Sequence, residues 1–489
     1  MIAVPHANAG PIDIGAHHHG PPRCLSGRGL LFPLLLLATL GSFAQQRVMD
    51  FTGPFGVSGI LVEGNRRTKE RIILRELTFR QGDTLTADEL YERLARSSEN
   101  LLNLGLFNTA TLLPTYLGPH EVFITITLNE RWFWWPTPIV RFADPNFNTW
   151  WLTKDLSRLN IGAWFFRYNM RGRNETLFAK VQLGYSKEFG LNYRVPFVDK
   201  RQRWGFEVGG AYGEQDEITI GTVGNKRVLL KTPKDNIYHY WKAGAKVILR
   251  RGHDVRHYLG ASWTDATVRD TVVRRNPEYL TSGMQEMAYL SLNYALVFDQ
   301  RDSRSFPLSG SYAKLLLDHN GIGPEQPDVT SLRALVQRSW KRGQRWSFGG
   351  SLNGKVSAGS EDHYYLQEGL GYDEHLRGYE YYIIDGQHYF LGKANIFFAL
   401  LKPRTFQADF IPFRAFRTLY LAVYLNAFSD QGYVWDERNG ALNPLANHWQ
   451  QSYGLGLDIV TSYDQVLRLE YAVNGLSETG LYLHFTQPF

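Results

Sequence analysis

The sequence predicts two folded parts: an α+β domain of the order βααββ, followed by an all-β transmembrane barrel of about 16 antiparallel strands. Three observations support this prediction. The chain contains 13 Trp, 27 Tyr and 29 Phe, although its mean hydropathy is negative. Its larger, C-terminal part breaks into segments of about ten residues in which apolar and polar side chains alternate. Residues 52–131 instead combine strand-like segments with helical spacing of apolar residues.

An apolar run at residues 29–45 is the longest in the sequence. It follows two arginines and ends with small residues at Ala44. This pattern is typical of a secretory signal peptide, which we expect to occupy residues 1–44 and to be cleaved after Ala44. An uncleaved anchor is the alternative. Cys24, the single cysteine, and His17–His19 lie in the segment to be removed, so we expect neither a disulfide nor a metal site from them.

The charge and the motifs exclude several classes of function. A net charge of +6 is small for 489 residues and forms no basic stripe, which argues against nucleic-acid binding. The region after Ala44 contains no hydrolase elbow, no phosphate-binding loop and no zinc-ligand spacing. Carboxylates such as those of Asp458 and Glu470 are common in polar barrel interiors. We therefore predict no enzyme activity, no metal and no cofactor.

Residues 52–131 predict one small domain. Val57–Glu63 is typical of a strand, and a short amphipathic helix follows it. A second helix begins at Thr86, where the spacing matches a capping box, and ends at Gly105. Two strands complete the domain, the second being the alternating segment "EVFITITLNE" at 121–130.

Residues 52–131 resemble a POTRA domain, the periplasmic module of the BamA/TamA superfamily of outer-membrane barrels. The resemblance rests on the turn "EGN", the segment "ILRELTFRQGD" and the run "LLNLGLF" that leads into a strand. It implies that an exposed strand edge takes up client segments by β-augmentation, in which main-chain hydrogen bonds supply the affinity. An unrelated small α+β domain is the alternative.

Residues 150–489 predict the barrel. In "QVLRLEYAV", Leu467 and Leu469 share one face while Arg468 and Glu470 share the other. A fully buried strand of a soluble protein would not carry the polar face. The barrel must be closed or nearly closed, because lipid cannot satisfy an unpaired strand edge. A soluble β-sandwich or propeller is the alternative.

A Gly-rich stretch, "GLGYDEHLRGYEYYIIDG" at 369–386, predicts a long loop. Its segment "HLRGYE" resembles the VRGF/Y motif of the loop that folds back into the lumen of BamA/TamA-type barrels. Leu376, Arg377, Gly378 and Tyr379 match this motif, with leucine where the family usually has valine or isoleucine. The resemblance extends through "FDQRDSRSFPLSG", "FSDQGYVWD" and the terminal "HFTQPF".

The resemblance also implies a partner for Arg377 on the inner wall of the barrel. The matching acid is Asp430, in the pattern Phe428-x-Asp430, and alternation places Asp430 on the polar face. A planar, permanently charged guanidinium is well suited to hold a loop against a wall carboxylate. The strand "NIFFALL" lacks the acid that the family pattern has there, so we expect one charged partner for Arg377 instead of two. Alternatively, "SDQG" is only a turn and "RGY" only a hydrated loop.

The final segment, "GLYLHFTQPF", predicts a weak closing seam. Phe485 and Phe489 lie on its apolar face, whereas Pro488 has no N–H to give to a neighbouring strand. We expect the seam between this segment and the first barrel strand, around Asn160–Phe166, to have fewer ladder hydrogen bonds near Phe489 than the other strand pairs have. A client strand could compete for such an edge. The alternative is that Pro488 merely ends a fully paired strand.

These observations and the resemblance predict an outer-membrane protein that inserts or translocates other proteins, capturing clients at the POTRA edge and releasing them at the seam. The expected partners are the outer-membrane lipid bilayer, unfolded or secreted client proteins and other envelope assembly components. The expected location is the bacterial outer membrane, with the POTRA domain in the periplasm. Two alternatives remain, a passive outer-membrane pore and a dedicated exporter of one secreted partner.

Overall fold

The computed structural model has two parts, a small α+β domain and a large antiparallel sheet. It describes residues 54–142, 159–232, 236–280, 283–322, 326–359, 363–438 and 440–485. The predicted signal peptide lies outside the described residues, as do Pro488 and Phe489 of the predicted seam. None of the helices in these ranges is long and apolar enough to cross a membrane.

The first domain is a four-stranded sheet covered by helices. Its elements are β1 (Phe55–Glu63), α1 (Glu70–Leu74), β2 (Thr84–Leu85), α2 (Ala87–Leu102), β3 (Phe107–Gly118) and β4 (Glu121–Glu130). The strand order is β2-β1-β4-β3, with β1 and β4 parallel. The predicted order of two helices between strands is confirmed, and the structure adds the two-residue strand β2 between the helices.

The longer helix begins where the capping-box spacing predicts. The side chain of Thr86 accepts a hydrogen bond from the N–H of Glu89, and Glu89 accepts one from the N–H of Thr86. These bonds satisfy backbone donors that the first turn of a helix leaves free. The apolar face of α2 carries Leu90 and Leu101, which are fully buried in one cluster with Ile124 of β4. The helix is thereby fixed on the sheet.

Within the described ranges, sixteen further strands form one continuous antiparallel sheet. They are β5 (Trp134–Phe142), β6 (Leu159–Met170), β7 (Glu175–Gly184), β8 (Ser186–Val195), β9 (Trp204–Gln215), β12 (Tyr238–Arg251), β13 (Val255–Val268), β14 (Glu286–Asp299), β15 (Gly310–Asn320), β16 (Val329–Arg342), β17 (Trp346–Gly359), β18 (His388–Gln407), β19 (Thr418–Trp435), β20 (Trp449–Thr461), β21 (Val466–Asn474) and β22 (Thr479–Phe485). A separate hairpin, β10 (Glu217–Val223) and β11 (Lys226–Lys231), and the short helix α3 (Asp270–Arg275) lie in connections between these strands.

The two faces of the sheet differ in polarity, as alternation predicts. In β21 the side chains of Arg468 and Glu470 are buried, at 5% and 1% exposure, whereas Leu469 and Tyr471 are 41% and 51% exposed. Apolar side chains therefore point outward and charged ones point inward. This is the polarity that a wall between lipid and a polar lumen requires.

The sheet begins one strand earlier than the sequence predicts. Its first strand is β5, which pairs with β6 from Trp134↔Arg167 to Phe142↔Leu159, so the strand around Asn160–Phe166 is the second one. The sequence pattern did not predict β5, because Pro136 and Pro138 lie inside it and prolines argue against a paired strand. They are tolerated here because β5 lies at the edge of the sheet.

The two edges of the large sheet are β5 and β22. Each of the other strands is paired on both sides, whereas no ladder joins β5 to β22 within the described ranges. On its paired side, β22 forms a ladder with β21 from Leu467↔Phe485 to Val473↔Thr479.

The first domain packs against the turns at one end of the large sheet. Arg250, at the end of β12, donates to both carboxylate oxygens of Glu76 at 2.6 and 2.7 Å. Arg131, just after β4, contacts Asp464 in the turn between β20 and β21 at 2.7 Å. All four side chains are at least 94% buried. Since these two turns belong to distant strands, the domain extends across this end of the sheet.

Candidate functional site: the lumen loop and its anchor

The connection between β17 and β18 folds back onto the inner face of the sheet. We call its described residues, 363–387, the lumen loop. An antiparallel bridge joins Leu370 to Ile384 through two hydrogen bonds of 2.8 Å and closes the loop into a narrow turn. Leu376 and Tyr379 are buried in one apolar cluster with Val434 of the wall. The predicted loop is therefore packed against the wall and not hydrated.

Arg377 binds Asp430 through a two-pronged ion pair. The Nε of Arg377 donates to Oδ2 of Asp430 at 2.9 Å, and its Nη2 contacts Oδ1. The backbone N–H of Arg377 donates to the same Oδ2 at 3.1 Å. Arg377 is 3% exposed and Asp430 0%. In this enclosure the pair is screened little by solvent, and its fork geometry fixes the loop in one position.

Arg377 has a second charged partner, which corrects the expectation of a single one. Its Nη1 lies 3.3 Å from Oε1 of Glu470 and donates to Oδ1 of Asn395 at 2.7 Å. Asn395 stands in "NIFFALL", the strand that lacks an acid, and Glu470 on β21 supplies the missing carboxylate. The second carboxylate therefore comes from a different strand than the family pattern predicts. Only the pairing of the strands places it near Arg377.

The carboxylates of Asp458 and Glu470 belong to the same charged network. Arg468 lies between them, with Nε 2.5 Å from Oδ1 of Asp458 and 3.6 Å from Oε1 of Glu470. The network therefore runs Asp430, Arg377, Glu470, Arg468, Asp458, with carboxylates and guanidinium groups in alternation. Each acid faces a permanent cation, and this arrangement serves to hold strands and loop together.

Phe428 explains why the wall pattern contains an aromatic residue two positions before the acid. It lies on the inner face of β19, beside Asp430, and its ring centroid is 3.9 Å from the Cζ of Arg377. A guanidinium over an aromatic face is attracted by the ring quadrupole. Phe428 and Asp430 thus hold the same group from two sides.

The remaining motif residues also contact the wall. Gly378 has a φ of +83°, and a Cβ there would lie 3.3 Å from the Cβ of Ala472. The Tyr379 hydroxyl accepts a hydrogen bond from the N–H of Gly475 at 3.0 Å and donates to the carbonyl of Gln451 at 3.3 Å. Leu376 packs over Gly432: a Cβ at position 432 would lie 2.8 Å from Cδ1 of Leu376. The motif therefore needs glycine at 378 for conformation and for space.

The predicted seam residue Phe485 lies away from this anchor. It is 75% exposed on the outer face of β22. A connection between the loop and β22 does exist through residues that the sequence did not single out: Nε2 of His484 lies 3.2 Å from Oε1 of Glu380. His375 also contacts Glu380, at 3.5 Å. No local spacing could have found this group, since His484 is remote from the loop in sequence.

The large sheet has sixteen antiparallel strands in the described ranges, with an apolar outer face and an arginine-anchored loop on its polar face. This is the architecture of an outer-membrane β-barrel. The Omp85 superfamily domain matches residues 169–486. A POTRA domain, described as a surface antigen variable number repeat, matches residues 55–131. The chain belongs to the Omp85 superfamily. The resemblance to outer-membrane barrels with a POTRA domain is thereby confirmed.

Several solved structures are similar to this chain. BamA from Haemophilus ducreyi lacking POTRA domains 1–3 is 14% identical, with a TM-score of 0.49, over 88% of this chain and 83% of that chain. CdiB from Escherichia coli is 11% identical, with a TM-score of 0.47, over 91% and 92%. CdiB from Acinetobacter baumannii is 11% identical, with a TM-score of 0.47, over 88% and 74%. No curated protein sequence matches the chain.

Proposed function

We propose that this protein inserts or translocates client proteins at the outer membrane by pairing a client strand with the open edge between β5 and β22. The observation that carries the proposal is this missing ladder in the described sheet, where every other strand is paired on both sides. Backbone groups at a free edge in lipid lack partners, and a client strand that adds to the edge supplies them.

The composition of β5 supports an edge that opens. Pro136 and Pro138 lack N–H groups, so β5 can offer fewer ladder donors to β22 than an ordinary strand would. The sequence argument placed this weakness at Pro488; the prolines of β5 put a second source of weakness on the opposite side of the seam. A client strand without prolines would pair better with β22 than β5 does.

The first domain supports a capture step. Its strand β3, Phe107–Gly118, is an edge of the four-stranded sheet and is long enough to accept an extended client segment. Leu113 and Leu117 on this strand are 56% and 59% exposed. Strand addition at β3 would use main-chain hydrogen bonds, and these leucines would contact apolar client side chains.

The packing inside the barrel weighs against a passive pore. The lumen loop is buried against the wall, and the β10–β11 hairpin packs on the loop: Thr222 donates to Asp385, and Asn225 donates to the carbonyl of Ile383 at 3.1 Å. The first domain extends across the other end. A passive pore needs a continuous open path, whereas an insertase or exporter needs a path that opens with its client.

Site-specific photocrosslinking in cells tests the proposal. A photoreactive amino acid at Leu483, on the edge strand β22, should crosslink to newly made outer-membrane or secreted proteins during a pulse of synthesis. The matched control is Leu352, which is 57% exposed on β17, a strand that is paired on both sides. It should crosslink to none of these proteins. Equal crosslinking at both positions, or none at Leu483, would contradict strand pairing at the seam.

Depletion of the protein, followed by measurement of the outer-membrane and secreted proteomes, identifies the client. Loss of several barrel proteins indicates an insertase, and loss of one secreted protein indicates a dedicated exporter. An unchanged proteome would favour the passive pore.

A further inference from the structure

Three side chains meet where the lumen loop reaches the last strand. His375 and Glu380 flank the arginine motif of the loop, and His484 lies on β22. One ligand atom from each lies within 4.8 Å of the other two. Nε2 of His484 is 3.2 Å from Oε1 of Glu380, and Nε2 of His375 is 3.5 Å from Oε2 of Glu380.

Their chemistry is that of a zinc ligand set. Two imidazole nitrogens and one carboxylate are donors that Zn²⁺ prefers, whereas Mg²⁺ and Ca²⁺ prefer oxygen alone. In a tetrahedral zinc site with bonds of about 2.0–2.1 Å, neighbouring ligand atoms are about 3.3 Å apart. Nε2 of His484 lies near this distance from Oε1 of Glu380, and Nε2 of His375 lies near it from Oε2, so a rotation of the carboxylate and of the His375 ring would bring both nitrogens around one oxygen.

A fourth ligand is also within reach. Oε2 of Glu470 lies 3.8 Å from Nε2 of His484, while its Oε1 faces Arg377 and Arg468. Glu470 could therefore contribute one oxygen to a metal and keep its contacts with the two arginines through the other. Water is the alternative fourth ligand, because His375 remains 35% exposed.

The cluster lies at the contact between the lumen loop and the edge strand β22. Glu380 is 8% exposed and His484 is 21% exposed, so the ligand atoms lie in an enclosed site. The rings of His375 and His484 have a centroid distance of 6.0 Å, and those of Tyr381 and Tyr482 one of 6.1 Å. A metal ion would add direct bonds between the loop and the edge strand of the sheet.

We propose that His375, Glu380 and His484 bind one divalent ion of the zinc class, which joins the lumen loop to β22. The proposal concerns binding and is independent of the client or of the direction of transport. In this proposal the ion is a removable link between the lumen loop and β22, the strand at the open edge of the sheet.

Zinc binding by the purified full chain tests the proposal. The protein, carrying no histidine tag, is stripped with EDTA, dialysed against micromolar ZnCl₂ and analysed for bound zinc by mass spectrometry. His484→Gln and Glu380→Gln should bind one zinc fewer per chain than the parent. His319→Gln is the control: His319 lies on β15, where it bonds Thr330 of β16 at 2.9 Å, and its replacement should leave the count unchanged. Any zinc held by His17–His19 is common to all variants.

Cobalt spectroscopy keeps the test informative if a variant folds poorly. His375→Cys preserves a metal ligand, so its cobalt complex should gain a sulfur-to-cobalt charge-transfer band that the parent lacks. Heat-modifiable gel migration, the shift typical of folded barrels, reports folding for each variant. Equal zinc in the parent, His484→Gln and Glu380→Gln, together with no sulfur band in folded His375→Cys, would overturn the proposal and leave only a histidine–glutamate ion pair.

Discussion

Arg377 and Asp430 form a buried, two-pronged ion pair that fastens the lumen loop to strand β19. Phe428 stacks on the same guanidinium, and Glu470 reaches it from β21. One side chain therefore joins the loop to two separate strands of the wall near its free edge. The loop cannot move from the wall without leaving charges uncompensated in an enclosed space, which costs far more than breaking a surface ion pair.

Removing either member of the pair should loosen the loop and reduce function while the barrel stays folded. For Arg377→Ala and for Asp430→Asn we expect a loss of about 3 kcal/mol in the free energy of loop docking, because each leaves a buried charge without its partner. Glu470→Gln should cost less, since a single contact of 3.3 Å joins Glu470 to Arg377. Protease cleavage within the loop and heat-modifiable migration measure the two effects. The double mutant should resemble the singles, and strictly additive losses would argue against the pairing.

Gly378→Ala should displace the loop although it adds only one methyl group. The φ of +83° is unfavourable for alanine, and the new Cβ would lie 3.3 Å from Ala472. Gly343→Ala is the matched control: Gly343 has a φ of +66° in a turn, and a Cβ there would meet nothing within 4 Å. We expect about 1 kcal/mol of destabilisation from conformation in both variants and an additional loss only at Gly378. Equal unfolding temperatures and equal loop cleavage would contradict close contact with the wall.

The docking of the first domain should weaken in acid through Glu76. Burial alone would raise the pKa of Glu76, but the charge and hydrogen bonds of Arg250, and then the charge of Arg75, lower it to about 2. A lowered pKa stabilises the folded form above the ordinary value of 4.5, and the stabilisation is lost as pH falls through about 2. The full effect is on the order of 3 kcal/mol.

Thermal unfolding across this pH range measures the effect. Glu76→Gln should lower the unfolding temperature at neutral pH, and the difference between this variant and the parent should shrink between pH 4.5 and pH 2. Arg274→Gln provides a control at the exposed pair Arg274–Asp270 of α3, whose loss should change little at any pH. A constant difference between Glu76→Gln and the parent would contradict the role of the Glu76 carboxylate.

Much of the wall was predictable because a strand has a fixed period of two. Alternation in "QVLRLEYAV" assigns Arg468 and Glu470 to the inner face, and the structure buries both. The start of α2 at Thr86 was predictable for a similar reason, since a capping box is a local pattern. Strand β5 was missed because Pro136 and Pro138 interrupt its pattern, and an edge strand is the place that tolerates them.

The anchor was predictable only in part. Arg377 and Asp430 were found through a resemblance in their motifs, whereas Glu470 was interpreted as an ordinary lumen carboxylate. Its contact with Arg377 depends on how β19, β20 and β21 pair, which places β21 beside the loop. The cluster of His375, Glu380 and His484 depends likewise on the fold, because His484 is remote in sequence from the two loop residues that it meets.

The central claim is that clients pass at the seam, and a reversible lock across it is the most direct test. In a Cys24→Ser background, Val140→Cys on β5 is combined with Leu481→Cys or Leu483→Cys on β22, since all three side chains are exposed. A short, reducible bifunctional thiol reagent joins them. The control is Leu469→Cys with Leu483→Cys, which are direct partners in the β21–β22 ladder. The measurement is delivery of newly made clients to the outer membrane or the medium before and after reduction. We predict that the seam lock stops delivery, that reduction restores it, and that the control lock has no effect; full delivery through a locked seam would contradict the account.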